Sequence, residues 1–271
     1  MQTFLILVYL AYFFSALSYP KEGLVIEFLD VGFGDSALIT TLHGKKVLID
    51  GGGNNEVVTY LGEKMPPGFC KLDVIILTHP HADHLYGLNR VLDYCDVDTV
   101  FSNTVVYDST LYSSWQEDLK LQNVGVRSLY SGEIFYIDGV EFVALWPDRD
   151  YCSDNVNNLS KVILMDTGDF EVLFLGDAES EALSKISVPA LKEHISDASV
   201  EVVKIPHHGS STAMLMPFYA EIGPKDCVIS VGENKYGLPS QEFLDNLKGV
   251  GCRVRRTDFE GTVRVVYNLR K

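Results

Sequence analysis

The stretch Asp73-Val-Ile-Ile-Leu-Thr-His-Pro-His-Ala-Asp-His84 runs an apolar segment straight into a loop holding three histidines and an aspartate. Val74 to Leu77 is predicted to be a buried strand, with the polar cluster just past its end. Residues i and i+2 of an extended backbone face the same side, so His79 and His81 can hold one metal ion. Asp83 and His84 then turn to a second ion beside it. A single loop histidine is ordinarily a solvated side chain. This chain has 7 histidines, and His79, His81, His84, His207 and His208 all fall in two short motifs, leaving only His43 and His194 scattered. The spacing is that of a two-metal hydrolase.

Further along, Leu173-Phe-Leu-Gly-Asp177 is a buried-strand pattern ending in a carboxylate, and a carboxylate at a strand end can bridge two cations. By itself a Gly-Asp after a strand is an ordinary turn; beside two histidine motifs it becomes a ligand candidate. Val202-Val-Lys-Ile-Pro-His-His-Gly-Ser210 sets two more histidines past another strand. One can ligate while the other binds substrate or moves a proton, and the sequence leaves open which does which.

The remaining pattern alternates strands and helices. Strands are expected at Leu24 to Leu29, Ser36 to Thr41, Lys46 to Asp50, Thr99 to Phe101, Gly125 to Leu129, Glu133 to Ile137, Val140 to Trp146, Lys161 to Asp166, Phe170 to Leu175, Val200 to Ile205 and Val228 to Val231. Arg253 to Arg256 and Gly261 to Tyr267 are expected to close the fold as a pair. Helices are expected at Val57 to Lys64, Leu85 to Tyr94, Ser109 to Leu121, Ser180 to Ile186, Val188 to Ile195 and Ser240 to Gly249. Two strand-rich halves, each ending in helix, predict an α/β fold of two sheets stacked between helices. Every candidate ligand falls at a strand end.

The chain has 271 residues and is 46% hydrophobic, enough for a large core. It shows no 20- to 50-residue period. Met1 to Ser18 lacks charged side chains and suits a signal peptide, or alternatively an N-terminal anchor, with residues 19–271 as one hydrolase domain. The expected location is therefore secreted or extracytoplasmic, with membrane anchoring as the alternative. Five cysteines without a CxxC pair allow one or two disulfides of unreadable connectivity and argue against a structural zinc site. A net charge of -15 disfavours a broad grip on nucleic acid. The arginines between Arg253 and Arg270 fit a solvated edge strand better than a phosphate patch.

The order Phe28-Leu-Asp-Val-Gly-Phe-Gly-Asp-Ser36, Leu48-Ile-Asp-Gly-Gly52, Thr78-His-Pro-His-Ala-Asp-His84, Asn157-Asn-Leu-Ser160, Leu173 to Asp177, His207-His-Gly-Ser210 and Asn234-Lys-Tyr-Gly237 resembles the metallo-β-lactamase superfamily, and within it the ComEC-type competence hydrolase domain. The resemblance implies an αββα sandwich with the metal site at the edge of the two stacked sheets. It makes His79, His81, Asp83 and His84 ligands, Asp177 a bridging carboxylate and His207 or His208 the late histidine. It makes Asp50 a support of the metal loop. Asn157, Asn158 and Ser160 stand where many members carry a further histidine ligand. Leu238 replaces the histidine usual before the proline of the ComEC-type pattern. Asn158 also opens a formal N-glycosylation sequon, expected to be unused because a glycan there would crowd the site.

The expected cofactors are two divalent metal ions, zinc or manganese, activating a water for hydrolysis, with Asp83, His207 or His208 moving protons. The family resemblance favours a phosphodiesterase or nuclease acting on a phosphodiester or another small hydrolysable substrate, single-stranded DNA included. No obligate protein partner is evident. The alternatives are an ester or lactone hydrolase, or a non-catalytic metal-binding module.

Overall fold

The computed structural model describes residues 23–65, 68–195 and 199–268. The segment read as a signal peptide or anchor lies outside these residues. Among the described residues no helix is long and apolar enough to cross a membrane.

The first half builds a seven-stranded sheet from β1 (Leu24–Phe28), β2 (Ala37–Thr40), β3 (Lys46–Ile49), β4 (Lys71–Ile76), β5 (Asp96–Phe101) and β6 (Gly125–Arg127), with β14 (Val263–Tyr267) added beside β1. The second sheet contains β7 (Ile134–Ile137), β8 (Val140–Trp146), β9 (Val162–Asp166), β10 (Glu171–Phe174), β11 (Val202–Lys204), β12 (Asp226–Ile229) and β13 (Arg253–Arg256), in the order β13-β12-β11-β10-β9-β8-β7. Each sheet is antiparallel over one half and parallel over the other: β3 to β6 run parallel, and so do β10 to β13. Parallel neighbours need helical crossovers. The sequence supplies them as α1 (Glu56–Lys64), α2 (Ala82–Tyr94) and α3 (Thr110–Leu121) on the first sheet. On the second lie α4 (Ser180–Leu183), α5 (Val188–Lys192), α6 (Met216–Ile222) and α7 (Gln241–Gly249).

Three apolar layers follow. Between the sheets pack Ile26, Phe28 and Ile49 with Phe142, Ile163 and Phe174. Leu48 and Ile75 face Val57, Leu88 and Trp115 under the first helical layer. Leu173 and Val203 face Leu191, Tyr219 and Phe243 under the second. Central strands therefore bury both faces and read as continuous apolar runs. This is the αββα sandwich expected from the sequence.

Four readings change. Arg253–Arg256 and Val263–Tyr267 do not pair with each other: β13 joins β12, whereas β14 crosses to the first sheet and pairs with β1. The short helix α8 (Thr257–Glu260) sits between them and redirects the chain. The helices expected at Ser180 to Ile186 and Val188 to Ile195 are the shorter α4 and α5, and α6 appears where none was expected. Arg253, Arg255 and Arg256 do lie on the edge strand β13, in ion pairs with Asp226, Glu260 and Asp258, and Arg264 on the edge strand β14; Arg270 lies outside the described residues.

The cysteines form two disulfides, Cys70–Cys95 and Cys227–Cys252, leaving Cys152 exposed and free. Each links the start of a parallel strand to the end of the helix or turn leading to its neighbour.

Candidate metal centre

The parallel strands point their carboxyl ends to one edge of the sandwich, where loops from both sheets meet. Asp50 follows β3, His79 to His84 follow β4 and enter α2, Asp177 follows β10, and His207 and His208 follow β11. Gly87 of α2 lets the helix settle on the turn after β3. A side chain there would meet the Gly51 carbonyl oxygen at 1.9 Å, so glycine permits the approach that puts His84 against Asp50. Asp50, His207 and His208 have φ of 56°, 50° and 52°. Left-handed backbone at non-glycine residues is strained and is concentrated here at the site.

Asp83, His84, Asp177 and His208 each offer a ligand atom, and these atoms lie within 4.8 Å of one another. His84 Nε2 is 3.2 Å from Asp177 Oδ2. His208 Nε2 is 3.2 Å from Asp83 Oδ2 and 3.9 Å from Asp177 Oδ2. His79 Nε2 adjoins the group, 3.9 Å from Asp177 Oδ2 and 3.0 Å from His81 Nδ1. Asp177 Oδ2 thus lies within 4 Å of His79, His84 and His208.

Behind the ligands, Asp50 accepts from His84 Nδ1 (2.8 Å), Thr78 N (2.8 Å) and Thr78 Oγ1 (2.7 Å). These bonds turn His84 Nε2 toward Asp177. Ser160 Oγ contacts His79 Nδ1 at 3.2 Å and accepts from the Asp177 amide at 3.1 Å, tying two ligand segments together.

Burial disfavours charge at all these groups, and their neighbours decide which keep it. Burial and the adjacent histidines hold His79 well below the usual imidazole range, and burial likewise lowers His81. At His84 burial is outweighed by the carboxylates of Asp177 and Asp50, which hold it well above that range. At His208 burial is opposed by Asp177 and Asp35, and the imidazole is pushed up to about 10. Asp177 and Asp83 are depressed despite burial by these histidines, His84 and His208 at Asp177 and His208 first at Asp83.

The late histidine in the cluster is His208, not His207. The ring of His207 turns away, its Nδ1 3.2 Å from both Glu179 Oε1 and Thr212 Oγ1, while its amide donates to Asp177 Oδ1 at 3.1 Å. Successive left-handed residues send the two rings apart. Asn157 sits by His81, and its Nδ2 donates to Glu179. Asn158 is 1% exposed, its side-chain amide nitrogen donating to Glu181. Leu238 packs against the second helical layer's core ahead of Pro239.

Three residues were absent from the predicted site. Asp35 and Lys204 form a buried ion pair of 2.6 Å behind His208, and Lys161 is buried with Nζ donating to the Leu77 carbonyl at 2.8 Å. A signal existed for each: Asp35 follows the glycines of the Asp30-to-Ser36 segment, and both lysines interrupt or open apolar strand runs.

These residues fit divalent metal. His84 Nε2 and Asn157 Oδ1 are buried without a well-formed hydrogen bond, and imidazole with carboxylate is the donor set of borderline and hard cations. Orphaned polar atoms of this kind are uncommon in a folded interior.

Residues 29–211 match the Metallo-beta-lactamase superfamily model. The chain is 28% identical over 288 residues to ComE operon protein 3 of Bacillus subtilis, covering 97% of this chain and 35% of that protein. It is 27% identical over 262 residues to Recombination protein 2 of Haemophilus influenzae, covering 93% and 30%. The chain thus spans about a third of the length of these relatives. The metallo-beta-lactamase fold protein YhfI of Bacillus subtilis superposes with a TM-score of 0.57 at 11% identity, covering 89% of this chain and 100% of that one. With the fold, the clustered ligands and the matched residues in agreement, the chain belongs to the metallo-β-lactamase superfamily and is similar within it to the ComEC-type competence proteins.

Proposed function

We propose that this protein is a metal-dependent phosphodiesterase acting on single-stranded DNA. The observation that carries the metal chemistry is the convergence of Asp83, His84, Asp177 and His208, with His79 and His81 alongside. Asp83, His84, Asp177 and His208 would hold one divalent ion, and His79 and His81, sharing Asp177, a second. Zinc suits the imidazoles and manganese the carboxylates. When bound, such ions supply Lewis acidity and an activated water at neutral pH.

The chain's own groups do the rest. Asp50 fixes the His84 ring through Nδ1, and Ser160 holds the His79 ring against the Asp177 segment. His207, one-quarter exposed with its Nδ1 between Glu179 and Thr212, would pass a proton to a departing alkoxide. Burial of Asp177, His79, His84 and His208 excludes bulk water from the ligand shell.

Aromatic rings lie on two sides of the cluster, Phe33 and Tyr107 half-buried and Tyr236 exposed, and they support an unstacked nucleic acid as substrate. The Phe33 ring lies 4.4 Å from that of His208 and 5.5 Å from that of Tyr236, which is 64% exposed. On the other side the Tyr107 ring lies 5.6 Å from that of His81. An exposed aromatic face binds bases through stacking worth about 1–3 kcal/mol per base. Among the relatives, the name Recombination protein 2 ties that protein to DNA. The two disulfides suit an oxidising, extracytoplasmic location.

The test is hydrolysis of end-labelled single-stranded DNA by the full chain, stripped of metal and resupplied with manganese or zinc, beside Asp83→Ala. Cleavage restored by metal in the wild type alone is expected. A metal-loaded wild type that leaves DNA intact would overturn the substrate assignment and point to small phosphodiesters, esters or lactones.

A further inference from the structure

Asp35 touches three segments of the candidate metal centre at once. Its amide donates to the Asp83 carbonyl at 3.1 Å, and its own carbonyl accepts from the Gly52 amide at 2.8 Å. Its side chain reaches the opposite sheet, where Oδ2 lies 2.6 Å from Lys204 Nζ and Oδ1 3.3 Å from His208 Nδ1. The His208 Nδ1 proton is directed at the Ser230 carbonyl, 2.9 Å away, so Asp35 Oδ1 acts on the ring by charge rather than by a linear hydrogen bond.

The surrounding backbone is shaped for this contact. Gly34 has φ of +138°, and a side chain there would meet the Asp83 carbonyl oxygen at 2.4 Å. Only glycine lets the loop after β1 lie against the ligand loop after β4. Lys204, the last residue of β11, also donates to the Ile205 carbonyl at 2.9 Å. Lys204 and Asp35 are buried, at 4% and 5% exposure. Beside them lies a cavity of about 10 Å³ lined by Asp35, Asp50, Lys204 and Ser230, room for one water at most. Solvent therefore cannot replace either charge. A buried ion pair is seldom kept for stability, since an apolar pair of similar volume serves as well.

We propose that Asp35 and Lys204 are a positioning pair for the metal centre: a buried cross-sheet ion pair that holds His208 and the Asp83 loop in register. This rests on the metal-site reading given above. His208 and Asp83 belong to different sheets, and Asp35 is bonded to one segment while facing the ring of the other. Groups behind a ligand that set its orientation raise metal affinity by about 10- to 100-fold.

The test measures cobalt(II) binding to the metal-stripped full chain, by calorimetry and by the visible ligand-field spectrum, together with thermal unfolding of the metal-free protein. Asp35→Asn alone leaves Lys204 buried and unpaired, so it is compared with the double variant Asp35→Asn/Lys204→Met, which removes both charges. The double variant is expected to recover thermal stability lost by the single one, yet to bind cobalt about 10- to 100-fold more weakly, with an altered spectrum. Lys204→Arg, which keeps a cation opposite Asp35, is expected to retain most of the wild-type affinity.

A folded double variant with wild-type affinity and spectrum overturns the positioning role and leaves the metal site intact. Unfolding of both Asp35 variants, with cobalt binding lost only through unfolding, makes the pair structural and overturns it too. A wild-type chain that binds no cobalt instead overturns the metal-site reading, and the positioning role with it.

Discussion

His208 Nε2 lies 3.2 Å from Asp83 Oδ2, joining residues 125 positions apart and loops that leave different sheets. Each residue alone is a common polar side chain at a strand end. Together with Asp177 and His84 they bring four potential ligand atoms within 4.8 Å of one another.

His208→Ala should therefore lose metal ion from this shell, with a fall in metal affinity on the order of 100-fold or more, because it removes a ligand rather than a support. His207→Ala should keep the metal content of the wild type and slow turnover instead, since its ring faces Glu179 and Thr212. Metal analysis after dialysis, beside turnover of each variant, separates the two. Equal metal loss in both would show that the two rings share the shell.

Asp50→Asn should weaken metal binding by about 10- to 100-fold. The carboxylate accepts from Thr78 twice and from His84 Nδ1 once, and an amide can serve only part of that set while presenting a donor to the imidazole. Competition with a chelating dye reads the change. An unaltered affinity would make Asp50 a purely structural residue.

Lys161 gives the fold a pH dependence of known sign. Burial lowers its ammonium to about 7, against a smaller pull upward from Asp50. Between that value and the ordinary lysine range the unfolded chain binds more protons than the folded one, so stability rises with pH across the window. The gain from pH 7 to pH 9 should be roughly 2 to 3 kcal/mol in metal-free protein, and Lys161→Met should remove it. Urea unfolding of both chains at the two pH values checks this, with the difference between chains cancelling other titrations. A parallel pH response in both would place the proton elsewhere.

Each disulfide closes a loop with a sequence separation of 25. Chain-entropy reasoning assigns about 3.5 kcal/mol to a loop of that size. Cys227→Ser/Cys252→Ser should thus lower the unfolding free energy by about that much while leaving the metal shell, which neither cysteine touches, able to bind. Denaturant titration beside metal content reads both effects.

Tyr236→Ala should raise the KM for single-stranded DNA by about tenfold, the loss expected from one stacked base, with little change in kcat. Its ring faces Phe33 and solvent, not a ligand. A fall in kcat alone would mean the ring positions Phe33 and His208 instead of a base.

Much of this was legible in the chain itself, because the signals are local. Strand runs such as Val74 to Leu77 and Leu173 to Leu175 show as apolar stretches since the central strands bury both faces. His79, His81, Asp83 and His84 announce themselves because one six-residue stretch carries them all, and Asp177 because it ends such a run. Composition and local pattern likewise fixed the αββα order of layers and an acidic chain unsuited to gripping long duplexes through charge. What depends on approach between distant segments was not readable. The choice of His208 over His207 follows from two left-handed residues that turn the rings apart. The pairing of four of the five cysteines, the parting of Arg253–Arg256 from Val263–Tyr267 into separate sheets, and the burial of Asp35 against Lys204 all require both sheets to be in place. Sequence fixes which groups stand at strand ends; only the packing of one sheet on the other decides which of them meet, since a side chain's partners are set by distance in space and not along the chain.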